Sequence, residues 1–62
     1  MEKLMELSAL LKELSFMIGG DKPAAQNWID ASREAGVEVP PGVTLSGLHD
    51  AVNRQLGIVM RQ

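Results

Sequence analysis

Residues 4–18 read LMELSALLKELSFMI, and the spacing of the large apolar side chains in this stretch decides the fold class. These side chains recur at alternating intervals of three and four residues, which is the seam that one helix presents to another. We call this row the ladder; it comprises Leu4, Leu7, Leu11, Leu14 and Ile18, and Leu10 and Met17 widen it. The ladder predicts a first helix from about Glu2 to Ile18, ended by Gly19 and Gly20.

The first helix carries a second, narrower apolar row on another side. This row consists of Met5, Ala9 and Phe16, and it lies beyond an acidic strip of Glu2, Glu6 and Glu13. A helix that is apolar on two sides can contact the core of its own chain on one side and another chain on the other. The alternative is that both rows pack inside one three-helix monomer.

The small size of the chain favours self-association. A chain of 62 residues buries only about 60% of the surface that its unfolded form exposes, so domains of this size usually add disulfides, a metal or a partner chain. The sequence has no cysteine, and His49, its only histidine, cannot complete a zinc site. We therefore expect no metal and no cofactor, and a homodimer whose interface is Leu4, Leu7, Leu10, Leu11, Leu14 and Ile18.

Two further helices are predicted along the same single domain, residues 1–62. The second spans about residues 23–35, with Asp21 as its N-terminal cap and Gly36 as its left-handed C-terminal residue. Residues 37–43 contain a proline pair, which predicts an extended connector. The third spans about residues 44–59, with Thr44 as its cap and Gly57 as a point where it frays or stops.

The connection between the first two helices is short, which predicts that they fold back as an antiparallel hairpin. The expected fold is all-α: a helical hairpin plus a third helix, forming a small three-helix bundle that homodimerisation through the first helix completes.

Charge and hydropathy lower the expectation of nucleic-acid and membrane partners. The net charge is −2, and the six basic residues are spread along the chain without forming the cluster that phosphate binding requires. No stretch approaches the roughly 18 apolar residues of a membrane span, and the N-terminus does not resemble a secretion signal. We expect a soluble, cytoplasmic protein.

No residue set predicts catalysis. Asp50 is adjacent to His49 on the predicted third helix, and adjacent helical residues do not face each other, so the carboxylate cannot orient the imidazole for general-base work. None of the four serines lies beside a base in a nucleophile motif. We expect no enzyme activity and no small-molecule substrate.

Four residues remain as candidate contacts for another protein. Trp28 is the only tryptophan, a residue enriched in interface hot spots, although a core position is its ordinary role. Asp30 and Glu34 lie one turn apart on the polar face of the second helix, and His49 lies at the edge of the apolar stripe of the third.

These observations predict a small non-enzymatic regulator or inhibitor that binds another protein as a homodimer. An inhibitor encoded by a phage or a mobile element fits this description, although no residue demonstrates such an origin. The alternative is a nucleic-acid-binding regulator in which a dimer gathers Arg33, Arg54 and Arg61 on one surface.

Overall fold

The chain is all-α, as predicted. A computed structural model describes residues 2–61. Within that range, three α-helices and one π-helical turn follow one another in the order α1 Glu2–Leu14, the π segment Ser15–Gly19, α2 Gln26–Glu34 and α3 Leu45–Arg61.

The principal helix pair is α1 with α3, and the two run antiparallel. The Ser8 hydroxyl in the middle of α1 bonds to Asn53 in the second half of α3, whereas Ser15, after α1, lies beside Ser46 at the start of α3. Eight buried residues form the core between the helices and the connector: Leu4, Leu7, Leu11, Val37, Val43, Leu45, Leu48 and Val52.

The predicted hairpin of the first two helices is not the main contact of the fold. An ion pair of 3.6 Å between Lys3 and Glu34 places the end of α2 beside the start of α1, as an antiparallel return requires. However, the longest run of helix-to-helix packing joins α1 to α3, and α2 contributes half-buried side chains such as Trp28 and Ile29 to the edge of the core.

The second helix begins later than residue 23, and Asp21 does not cap it. Ala25 is the capping residue, with extended backbone and no side-chain hydrogen bond. The residues before it are held in an antiparallel bridge between Pro23 and Thr44, flanked by the bonds Ala24 N–H to Val43 O (3.0 Å) and Leu45 N–H to Lys22 O (2.9 Å). These backbone bonds keep Pro23 out of the helix.

The α2 helix ends in a Schellman motif. Gly36 has φ +89°, its N–H donates to Arg33 O, and the Val37 N–H donates to Ser32 O, both at 3.0 Å. This pair of hydrogen bonds requires a left-handed backbone conformation at residue 36, which glycine adopts without a steric penalty. The turn buries Val37 in the core.

The α3 helix begins at a side-chain cap. Thr44 Oγ1 accepts the N–H of Gly47 at 3.1 Å, which satisfies one of the free amides of the first turn. The helix continues through Gly57 to Arg61, two residues beyond the predicted end.

Candidate protein-interaction surface

The end of the first helix widens into a π-helical turn that carries three consecutive exposed apolar side chains, two of which are the most exposed large apolar side chains among the described residues. Phe16, Met17 and Ile18 are 81%, 77% and 53% exposed. We call these three residues the apolar tip. π-Helical turns are rare and occur frequently at functional sites.

Contacts with the start of α3 accompany this widening. Gly19 has φ +99°, and the Gly20 carbonyl accepts the N–H of Ser46 at 3.0 Å. In an α-helix Ile18 would lie only about 20° from Leu11 around the axis. The wider turn takes Ile18 off that line, and Ile18 is exposed whereas Leu11 is fully buried.

The residues of the predicted dimer interface differ in their burial within the single chain. Leu4, Leu7 and Leu11 are buried in the core of the single chain, because α3 covers this side of α1. Leu14 is half-buried against the same core. Of the six predicted interface residues, Leu10 and Ile18 are exposed.

A shallow groove of about 310 Å³ adjoins the apolar tip. The Ser15 Oγ is buried there and has no hydrogen-bond partner within residues 2–61. No carboxylate lines the groove, whose walls are formed by Lys12, Ser15, Phe16, Gly20, Ser46 and His49.

His49 belongs to a polar chain that links α3 to α1. The Ser8 hydroxyl donates to Asn53 Oδ1 at 2.6 Å, and Asn53 Nδ2 donates to His49 Nε2 at 3.1 Å. This contact occupies one of the two ring nitrogens of His49.

The other predicted contact residues have separate surroundings. Trp28 is half-buried against the core, and its carbonyl accepts the hydroxyl of the buried Ser32 at 2.8 Å. Asp30 accepts a bond from Gln26 at 2.9 Å, whereas Glu34 pairs with Lys3. Each of the two carboxylates therefore has its own partner within the single chain.

A second, larger groove of about 700 Å³ lies between the connector and α3. Arg54 lines it together with the carboxylates of Glu38 and Asp50. This mixture of charges does not resemble the cationic surface that phosphate recognition needs.

Sequence reasoning did not find Ser46 or Asn53, because their hydrogen-bond partners on the other side of the helix pair, Gly20 and Ser8, are more than 25 residues away along the chain. The second apolar row of the sequence includes Phe16, and this row was the signal in the sequence for an exposed apolar surface.

None of the helices within residues 2–61 combines the length and hydropathy that a bilayer crossing requires. No protein-family model, no curated protein and no solved structure matches the chain.

Proposed function

We propose that this chain is a small non-enzymatic regulator or inhibitor that acts as a homodimer and binds another protein through Met17 and Ile18 of its apolar tip. The observation that carries the proposal is the exposure of three consecutive large apolar residues in the π segment that follows α1. Burial of one such side chain is worth about 1.5–3 kcal/mol. A partner that covers the tip gains this free energy, less the cost of association.

The chemistry of the tip favours a protein partner. Its side chains offer no charge for phosphate groups, and a single lysine, Lys12, lines the adjoining groove. Methionine adapts to irregular apolar surfaces, which suits contact with another protein. The neighbouring Leu10 is also exposed and extends the apolar area along α1.

Site-specific photocrosslinking tests this assignment. A photoreactive residue replaces Met17 in one sample and Asn27, an exposed residue of α2, in the control. We expect one protein of the native cell extract to crosslink from position 17 and not from position 27. The additional substitution Ile18→Asp should abolish that product while the circular dichroism spectrum stays unchanged, because Ile18 is outside the core.

The regulatory role has its own readout. Once the crosslinked protein is purified, its activity is measured with and without a saturating amount of the chain, and the Ile18→Asp variant serves as the control. An activity that the chain leaves unchanged would contradict regulation. Equal crosslinking from positions 17 and 27 would contradict the tip as the contact surface.

A further inference from the structure

The groove beside the apolar tip is the point where an apolar surface meets hydrogen-bonding groups. Phe16 belongs to both, because it is part of the tip and also lines the groove. The other side chains of the groove supply one ammonium group, two hydroxyls and one imidazole, from Lys12, Ser15, Ser46 and His49. A protein that covers the tip therefore has a polar recess directly beside its own contact residues.

The Ser15 hydroxyl is the group in this recess that lacks a partner. Its Oγ is buried and makes no hydrogen bond to the part of the chain that the structure describes. A buried hydroxyl without a partner carries an unrecovered cost of desolvation, which a bound acceptor would offset. The Cβ atoms of Ser15 and Ser46 lie 3.9 Å and 3.1 Å from the point that a Cβ on Gly20 would occupy, so the two serines converge there.

An acceptor with a negative charge complements this recess. The Lys12 ammonium group is a donor only, and a serine hydroxyl can also donate. No carboxylate lines the groove, and the ion pair within residues 2–61 is Lys3 with Glu34, so it does not involve Lys12. Hydrogen bonds to an ionised acceptor are stronger than those between neutral groups.

The start of α3 favours a carboxylate over a phosphate group. Phosphate groups at a helix N-terminus are bound by free backbone N–H groups. The amides of Leu45, Ser46 and Gly47 already donate to oxygens within the chain, at 2.9, 3.0 and 3.1 Å. The recess therefore offers side-chain donors and one positive charge, which match a single carboxylate.

We infer that the groove binds the carboxylate of an aspartate or glutamate side chain of the partner protein, next to the partner residues that cover the tip. This inference rests on the proposed function and specifies the chemistry of the partner at that surface. The Lys12 ammonium and the hydroxyls of Ser15 and Ser46 donate to the carboxylate. Ser15 must rotate about its Cα–Cβ bond to do so, because its Oγ is inaccessible in the free chain.

Two short peptides test the requirement for a negative charge. Acetyl-Leu-Glu amide and acetyl-Leu-Gln amide have nearly the same shape, and the carboxylate distinguishes them. In a nuclear magnetic resonance titration, we expect the backbone amide signals of Lys12, Ser15 and Ser46 to respond to the glutamate peptide with an affinity about fivefold higher than for the glutamine peptide. High salt should reduce this preference, because it screens exposed charges.

A pair of lysine variants tests the source of the charge. Lys12→Met should remove the preference for the glutamate peptide. Lys3→Met is the matched control, because Lys3 is on the same helix about 13 Å away along the axis and does not line the groove. This variant should keep the preference.

Ser15→Ala separates binding from folding. The substitution removes a buried hydroxyl that has no partner in the free chain, so the urea midpoint of unfolding should not fall. The affinity for the glutamate peptide should nevertheless decrease by about threefold. A serine with a purely structural role would give the opposite pattern, a lower midpoint and an unchanged affinity.

Three results would overturn the inference: equal affinity for the two peptides, no response to either peptide at about 50 mM, or a preference that Lys12→Met leaves intact. None of them affects the crosslink from position 17 to another protein. A failure of the carboxylate site is therefore distinguishable from a failure of the partner surface.

Discussion

The backbones of Gly20 and Ser46 approach so closely that a Cβ placed on Gly20 would lie 3.1 Å from the Ser46 Cβ. The same pair shares a hydrogen bond of 3.0 Å from the Ser46 amide to the Gly20 carbonyl. This contact joins the end of the π segment to the first turn of α3. It therefore positions both the apolar tip and the adjoining groove.

Gly20→Ala should destabilise the fold by about 1 kcal/mol, because the added methyl group crowds a side chain that is held at the start of a helix. Urea unfolding followed by circular dichroism measures the free energy of unfolding. Gly57→Ala is the matched control: a Cβ there meets nothing within 4 Å, and alanine in a helix interior is more stable than glycine by about 0.5–1 kcal/mol. Equal effects at both positions would contradict the close approach.

Leu11→Ala should cost about 2–5 kcal/mol, because Leu11 is fully buried and its truncation leaves a cavity. Leu10→Ala on the same helix should cost less than about 1 kcal/mol, since Leu10 is 44% exposed. The comparison requires thermal or denaturant unfolding at a concentration where the chain is monomeric. If the two variants lost equal stability there, the assignment of the ladder to the intrachain core would be wrong.

Thr44→Ala should destabilise the chain by about 1 kcal/mol, because it removes the oxygen that accepts the Gly47 amide at the start of α3. Thr44→Ser keeps the hydroxyl and should retain most of the stability. Hydrogen exchange of the Gly47 amide should accelerate in the alanine variant and not in the serine variant. Equal exchange rates in the two variants would argue against the cap.

The ion pair between Lys3 and Glu34 should contribute less than about 1 kcal/mol, because both side chains are exposed to solvent. A double-mutant cycle with Lys3→Ala and Glu34→Ala isolates the coupling free energy. It should fall further in high salt, which screens exposed charges. A large coupling that salt does not change would show that the pair is shielded from solvent.

Local signals in the sequence were sufficient for the helical class and for several helix ends. Thr44 lies directly before a helical apolar stripe, and Gly36 follows one, so capping chemistry can be recognised within a few residues. Asp21 gave a similar local signal and did not act as a cap. The bridge between Pro23 and Thr44 joins residues 21 positions apart and holds the segment extended.

The candidate surface could be predicted only in part. The sequence places apolar rows on two sides of the first helix, but periodicity does not say which row a chain buries within itself. Ile18 continues the ladder in sequence and leaves it in the structure, because the π-helical turn changes the angular spacing of the side chains after Leu14.

By itself, the sequence determined that the chain is helical, where α3 begins and that α1 has two apolar rows, because periodicity and capping depend on neighbouring residues. Only the tertiary structure decided that Leu4, Leu7 and Leu11 are buried against α3 and that the second apolar row and the apolar tip stay exposed. That choice depends on contacts between distant residues, such as Gly20 with Ser46 and Ser8 with Asn53, and these form only when the helices pack.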